Sequence, residues 1–225
     1  MANTETTINA IMHPHPSETP IDIEKTIKAL ERNKFVVHYF ETGSEAVAYL
    51  KNRIQNKCVA IGDSRTLIEL NVHDALSEVN EDITDIQRPL PGESFRDTAL
   101  RTMGRDVFLT SVNALSQTGE MVNIDGTGNR VAASLFGSQE VFFVLGVNKI
   151  TPDLASAIYR ARNVAAPLNS KKNKKSSLNP CATLDEKCYD CGSPDRICNA
   201  LTIYYKKMRN MQTMEIIIIN ESLGF

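Results

Sequence analysis

Apolar residues along this chain recur at two spacings, one typical of amphipathic helices and one typical of buried strands. From residue 21, the segment IDIEKTIKALERNKF has helical spacing, and the β-branched and aromatic run FVVHYF follows it. The same order repeats in SEAVAYLKNRI, a second helix, and KCVAIG, a short apolar strand that ends at a glycine. The polar start of the next segment, DSRTLIEL, is typical of a capped helix. The pattern therefore predicts alternating helices and strands.

The alternation continues to the last residues of the sequence. SFRDTALRTM predicts a helix, DVFLTSV and EMVNI predict strands, and GTGNRVAASLF predicts a turn that leads into a helix. EVFFVLGV is apolar almost throughout, which favours a strand buried on both faces. TPDLASAIYRARNVAAPLN predicts one long helix with a capping Thr-Pro-Asp start, and ALTIYYK and MEIIIIN predict two final strands. The repeated order predicts an α/β fold with layers, in which helices flank a mostly parallel sheet.

At 225 residues the chain can form one large domain or one domain with an appendage. Residues 1–20 are polar and predict a disordered or loosely attached N-terminus, whereas residues 21–225 form the predicted α/β domain. Residues 170–198 are predicted to be a lysine-rich and cysteine-rich loop inserted before the last strands. A formal net charge of −2 does not favour binding to nucleic acid or to an anionic membrane surface. We expect a cytoplasmic protein, because the N-terminus lacks a signal-peptide pattern and no apolar run could span a bilayer.

Four of the five cysteines lie close together near the C-terminus, in the pattern C-x6-C-x2-C-x6-C. They are Cys181, Cys188, Cys191 and Cys198. A thiolate quartet with a central C-x2-C is the arrangement that zinc or an iron–sulfur cluster needs. Two disulfides or four reduced thiols are the alternatives, and disulfides are rare in the cytoplasm. The spacing therefore favours a metal or cluster site.

Three polar loops follow predicted strands, which is where ligands bind in open α/β sheets. The candidate ligand-binding residues are Gly62, Asp63, Ser64, Arg65 and Thr66 in the first loop, Thr110, Ser111 and Asn113 in the second, and Asp125, Gly126, Thr127, Gly128, Asn129 and Arg130 in the third. A helix start, hydroxyl groups and guanidinium groups suit a phosphate or a carboxylate. Each loop is equally compatible with an ordinary cap or turn. The sequence contains no recognisable nucleophile–base arrangement, so no catalytic residue is assigned.

Four segments resemble the LutC/YkgG-like lactate-utilisation proteins of the LUD domain family. In chain order they are IGDSRTLIEL, TSVNALSQTGEMVNIDGTGNRVAASLFG, NKITPDLASAIYRARNVAAPLN and PCATLDEKCYDCGSPDRICN. The chain is similar to the short, stand-alone members that end with a cysteine-rich loop. The resemblance implies an α/β fold of the NagB/RpiA/CoA-transferase-like kind. It also implies a role beside the iron–sulfur subunits that oxidise L-lactate to pyruvate, but it identifies no catalytic residue.

These observations lead to three hypotheses. The first is a component or accessory protein of lactate (2-hydroxy acid) utilisation that binds a small anionic ligand and carries an iron–sulfur cluster or zinc. Its partners would be iron–sulfur subunits of a lactate-oxidising complex or a second copy of the chain. The second is a non-catalytic binding or assembly module with a structural zinc loop. The third is an enzyme that acts on a phosphorylated sugar or a CoA ester.

Overall fold

Strands and helices alternate along the chain in the computed structural model, which describes residues 19–172 and 178–225. The strands are β1 (Val36–Phe40), β2 (Val59–Ile61), β3 (Ile83–Asp85), β4 (Val107–Thr110), β5 (Ala114–Ser116), β6 (Met121–Asp125), β7 (Glu140–Gly146), β8 (Ile150–Thr151), β9 (Ala200–Tyr204) and β10 (Thr213–Ile219). The α-helices are α1 (Ile23–Arg32), α2 (Gly43–Arg53), α3 (Arg65–Glu69), α4 (Val72–Ser77), α5 (Phe95–Arg101), α6 (Asn129–Leu135), α7 (Leu154–Arg160), α8 (Ala166–Lys172) and α9 (Pro180–Thr183). The predicted α/β class is confirmed.

The central sheet has six strands in the order β1–β10–β7–β4–β2–β3, and every neighbouring pair is parallel. Its middle strands are buried on both faces, as the apolar run EVFFVLGV predicted: all seven residues of β7 are buried. Neighbouring residues of β7 serve opposite layers of the core. Phe142 packs in one cluster with Leu50 and Ile217, while Phe143 packs in the other with Phe108 and contacts Tyr204 edge-on.

A second sheet, with the order β8–β5–β6–β9, lies beside the first. Strand β6 pairs antiparallel with both β5 and β9, whereas β5 pairs parallel with β8. The strands EMVNI and ALTIYYK were predicted, but their membership of a separate sheet was not. Since β4 passes into β5 after only three residues, the second sheet starts at the carboxyl edge of the first.

Side chains that cap helix starts explain where several helices begin. Asp22 accepts a hydrogen bond from the Lys25 amide, and Thr42 forms a reciprocal capping box with Glu45. At the predicted Thr-Pro-Asp start, Asp153 accepts from the Ser156 amide at 2.7 Å. Each such cap contributes about 1 kcal/mol to stability.

The long helix predicted after Asp153 is interrupted. Helices α7 and α8 are joined by a π-helical turn, Ala161–Ala165. A π turn inserts an extra residue and is frequent at functional sites. Here it separates Arg160, which faces the central sheet edge, from Arg162, which faces the cysteine-rich segment.

The prediction that residues 170–198 form a loop is partly wrong, because two helices overlap this segment. Helix α8 extends to Lys172, and Pro180 begins the short helix α9. Pro180 suits the first turn of a helix, where its missing amide hydrogen costs nothing. Residues 1–18 and 173–177 lie outside the described residues, so the predictions for the N-terminus and for part of the lysine run are not addressed. In the described parts of the chain, no helix is long and apolar enough to cross a membrane.

Candidate functional site

The carboxyl ends of four neighbouring strands meet at one edge of the central sheet. Strands β2, β4, β7 and β10 are adjacent and parallel, so the segments that follow them lie side by side. Those segments begin at Gly62, Ser111, Val147 and Asn220. Two of the three predicted ligand loops are therefore adjacent, and a segment after β7 joins them.

Lys149 is the most buried cation at this edge, with an exposed fraction of 4%. Its Nζ donates hydrogen bonds to Thr66 Oγ1 at 2.9 Å and Ser111 Oγ at 3.0 Å. The pKa of Lys149 is lowered to about 7, first because burial disfavours the charged amine and then because the positive charges of Arg160 and Arg130 oppose it. Sequence reasoning missed this residue. The available signal was a lysine that directly follows an apolar strand, at the position where ligands bind.

Arg130 is held by the loop between β4 and β5. Its Nη2 donates to the Ile124 carbonyl at 2.6 Å and to Asn113 Oδ1 at 3.3 Å. Its Nη1 donates to Asn123 Oδ1 at 3.2 Å and to the Ser111 carbonyl at 3.5 Å. These bonds fix the guanidinium between the second and third predicted loops.

Arg160 approaches the same loop from helix α7. Its Nη1 donates to the Asn113 carbonyl and, at 3.2 Å, to the terminal oxygen of Phe225, while its Nε donates to the Asn148 carbonyl at 3.1 Å. Burial lowers the pKa of Arg160 to about 10, so the guanidinium stays charged at neutral pH. Sequence reasoning missed Arg160 as well, because its helix lies more than forty residues after the loop that it contacts.

Three cations therefore converge on residues 111–113. Within residues 19–172 and 178–225, neither Arg130 nor Lys149 forms an ion pair with a carboxylate, and Arg160 contacts the terminal oxygen of Phe225 at 3.2 Å. Partly buried charges are costly unless they are paired. The arrangement can lower that cost by binding an anion, to which charged donors make the strongest hydrogen bonds.

The segment Leu223–Gly224–Phe225 covers Lys149. The Leu223 amide donates to Asn148 Oδ1 at 3.1 Å, and the Gly224 amide donates to Glu69 Oε2 at 2.7 Å. Gly224 has a φ of +64°, and a Cβ at this position would lie 2.6 Å from Thr66 Oγ1 and 3.1 Å from Lys149 Nζ. This segment, residues 223–225, forms the roof of the cation cluster.

The predicted loop residues divide into two groups. Arg130 belongs to the cation cluster, and Thr66, Ser111 and Asn113 contact it directly. Most of the others serve local roles: Ser64 caps α3, Arg65 is exposed and pairs with Glu69 at 2.9 Å, Gly62 packs against Phe108, and the Thr110 hydroxyl donates to the Ser111 carbonyl. Asp63 accepts from Gln87; burial raises the pKa of its carboxyl group, and the nearby positive charge of Arg130 opposes that shift.

The third loop is a tight turn built around Asp125. One carboxylate oxygen accepts from the amides of Thr127 and Gly128, at 3.1 and 2.9 Å, and the other accepts from Val131 at 3.1 Å. Gly128 has a φ of +82°, which glycine adopts without strain, and Asn129 begins α6. The turn therefore positions Arg130. It also touches the cysteine-rich segment, since a Cβ on Gly126 would lie 2.9 Å from the Ile197 carbonyl oxygen.

The four clustered cysteines border one cavity of about 20 Å³, together with Arg162, Asp190 and Arg196. All four are free thiols of intermediate exposure. Across the described residues, no group of three or more His, Cys, Asp or Glu side chains is arranged to hold a metal ion. The structure therefore brings the predicted quartet together without forming a closed single-ion site, and metal binding stays a prediction.

Comparison with known proteins identifies the family. The family model of the LUD domain matches residues 23–219. The fold is similar to the crystal structure of a DUF162 family protein from Deinococcus radiodurans, with a TM-score of 0.52 and 11% identity, over 89% of this chain and 99% of that one. At this identity the likeness concerns the fold alone. No curated protein matches the sequence.

Proposed function

The chain belongs to the LUD domain family, and on that premise we propose that it serves lactate utilisation by binding a small 2-hydroxy or 2-oxo carboxylate. The binding site is the cation cluster formed by Arg130, Lys149 and Arg160. Iron–sulfur subunits of a lactate-oxidising complex are its expected protein partners. The observation that carries the proposal is the buried Lys149 ammonium, whose described partners are two hydroxyl groups and no carboxylate.

An inventory of donors supports a specific position for the carboxylate. Lys149 Nζ has three N–H groups and uses two of them within the described residues. The Nη2 group of Arg160 makes no hydrogen bond to a described residue, whereas both Nη groups of Arg130 are occupied. Lys149 and Arg160 are therefore the residues that bind the carboxylate, and Arg130 adds positive charge and orients the loop.

The hydroxyl groups beside Lys149 suit a ligand with a second oxygen. Thr66 and Ser111 can each donate or accept a hydrogen bond, so they match either the hydroxyl of lactate or the carbonyl of pyruvate. Residues 223–225 cover this position, and ligand entry requires them to shift.

Isothermal titration calorimetry with L-lactate and pyruvate at pH 6 tests the proposal. Lys149→Met and Arg160→Gln should each weaken binding about tenfold or more, the value of a charge-assisted hydrogen bond. Arg88→Ala is the matched control, because Arg88 is exposed and pairs with Asp74 away from the cluster. Saturable binding of a phosphorylated sugar or a CoA ester, with none of lactate or pyruvate, would contradict the proposal.

A further inference from the structure

The amine of Lys149 lies in surroundings that are unusual for a lysine. The residue follows β7 at the carboxyl edge of the central sheet, and its exposed fraction is 4%. Lysine is almost never fully buried unless it is paired with an opposite charge. Among the described residues, however, the hydrogen bonds of Lys149 Nζ go to two hydroxyl groups, Thr66 Oγ1 at 2.9 Å and Ser111 Oγ at 3.0 Å. A buried amine with neutral partners can act as a nucleophile once it has lost its proton.

The groups that face Lys149 favour the unprotonated amine. Burial has the largest effect on its pKa, the positive charges of Arg160 and Arg130 act in the same direction, and the negative charge of Glu69 acts against them. At pH 7.5, most of Lys149 is therefore unprotonated, whereas roughly one in a thousand of the ordinary exposed lysines is. Desolvation beside other cations is an arrangement that activates a lysine for attack on a carbonyl group.

The proposed binding mode brings a carbonyl carbon to this amine. In a 2-oxo acid, the carboxylate can bind Arg160 Nη2, which makes no hydrogen bond to a described residue. The oxo group can bind the hydroxyl groups of Thr66 and Ser111. Because both hydroxyl groups are hydrogen-bonded to Lys149 Nζ, the 2-oxo carbon then lies beside the nucleophile.

The same two hydroxyl groups can carry the protons that imine formation requires. The lone pair of Nζ forms a bond to the 2-oxo carbon, and the electron pair of the C=O bond moves to oxygen. One hydrogen passes from Nζ to this oxygen through a hydroxyl group, which gives a carbinolamine. The second Nζ hydrogen follows the same route, the C–O bond breaks and water leaves, so that a C=N bond remains. The reaction consumes no oxidant and no reductant.

We propose that Lys149 forms an imine with the carbonyl carbon of a 2-oxo acid. This inference rests on the proposed function, because it takes the same class of ligand in the same site. It adds a distinction between the two ligands: pyruvate reacts covalently with Lys149, whereas lactate has no carbonyl at that carbon and only binds. The roof over Lys149, residues 223–225, limits the access of bulk water, which would hydrolyse the imine.

Reductive trapping tests the inference on the full chain. The protein is incubated with pyruvate and sodium cyanoborohydride at pH 7.5, and the reacting residue is located by peptide mass spectrometry. Lys149 should gain the mass of pyruvic acid less one oxygen atom, and excess L-lactate should slow this reaction about tenfold or more by occupying the site. Lys149→Arg keeps a positive charge but cannot form an imine, so it should lose the adduct. Lys206→Met is the matched control, because Lys206 is exposed, and it should react like the wild type.

Calorimetry with pyruvate at the same pH separates this inference from the proposed function. Binding of pyruvate without modification of Lys149 would overturn the inference alone, whereas the absence of both would overturn the two together. Adducts formed equally on Lys149 and Lys206 would also overturn it, because they would show no activation of the buried amine. Far-UV circular dichroism shows whether Lys149→Arg folds. If it does not, the position of the adduct in the wild type still identifies the reacting lysine.

Discussion

Lys149 Nζ lies 3.0 Å from Ser111 Oγ, although the two residues are 38 positions apart and follow different strands, β7 and β4. This contact joins the segment after β7 to the loop after β4. Through Ser111 and Asn113, the same loop holds Arg130 and Arg160. The contact between Lys149 and Ser111 therefore forms the centre of the candidate anion site.

The lowered pKa of Lys149 predicts how stability depends on pH. In the folded protein its pKa is about 7, against 10.5 for an ordinary lysine. Between these values the unfolded chain binds a proton that the folded chain does not, so this group makes stability rise with pH in that window. The slope is at most about 1.4 kcal/mol per pH unit. Lys149→Met should flatten it.

Urea denaturation at several values between pH 7 and 10 measures this effect. Other groups titrate in the same range, so the relevant quantity is the difference between the wild type and Lys149→Met. Lys206→Met serves as the control, because Lys206 is exposed. Parallel stability curves for the wild type and Lys149→Met would show that Lys149 titrates normally.

Arg130 and Arg65 were both assigned to ligand binding by their sequence positions, and the structure predicts different effects for them. Arg130→Ala should weaken lactate or pyruvate binding about tenfold, because it removes a charge and four hydrogen bonds that orient the loop. Arg65→Ala should change affinity less than twofold, because Arg65 is exposed and pairs with Glu69. Calorimetry of both variants decides between the assignments. Equal losses of ligand affinity in the two variants would show that Arg65 also contributes to the binding site.

Gly224→Ala should expose Lys149 to solvent. The added methyl group would lie 2.6 Å from Thr66 Oγ1, and the backbone at Gly224 has a positive φ, so residues 223–225 should shift from their position over the lysine. Gly92→Ala is the matched control: Gly92 has a φ of +81° but no heavy atom within 4 Å of the added carbon. Labelling with an amine-reactive ester at pH 8, followed by mass spectrometry, should detect modified Lys149 in Gly224→Ala alone. Equal labelling of the wild type would mean that the roof does not protect Lys149.

Gly126→Ala should loosen the cysteine-rich segment. A methyl group there would lie 2.9 Å from the Ile197 carbonyl oxygen, and neither this backbone oxygen nor the Cβ can rotate away, so the clash is relieved only if the two segments separate. We expect a loss of about 1–3 kcal/mol, typical of overpacking. Gly192→Ala, in the same segment, has no heavy atom within 4 Å and should be neutral. Thermal unfolding measures stability, and hydrogen exchange across residues 196–199 reports the separation. Unchanged exchange in Gly126→Ala would contradict this account.

Arg53→Met should lower the stability of the protein, because Arg53 binds carboxylates near the amino ends of two central strands. It pairs with two buried carboxylates, Glu140 and Glu215, on adjacent strands. Arg53→Met would leave both without their shared guanidinium, and losing one partner of a buried pair costs on the order of 3 kcal/mol. Arg88→Met, which breaks only the exposed pair with Asp74, should leave the urea midpoint unchanged. Similar midpoints for the two variants would show that Glu140 and Glu215 do not need Arg53.

The sequence by itself determined the local elements and their class. Periodicity and capping act over a few residues, so the strands of MEIIIIN and EVFFVLGV and the helix start at Asp153 could be recognised without the fold. The four cysteines were also recognised, because their spacing is a local property. The interruption between α7 and α8 was missed, since a π turn has no periodic signature of its own.

Only the tertiary structure decided which polar residues meet. Strands β5 and β8 have three and two residues, too few for a periodic pattern, so the second sheet depends on long-range pairing. Lys149 is one ordinary cation in the sequence, and it becomes a buried amine only because Thr66, 83 residues earlier, and Ser111 lie beside it. In the sequence, Arg65 and Arg130 are equally plausible ligand-binding residues, yet only Arg130 belongs to the cation cluster. Burial and electrostatic coupling depend on distances between remote segments, and those distances are set by the order of strands in the sheet.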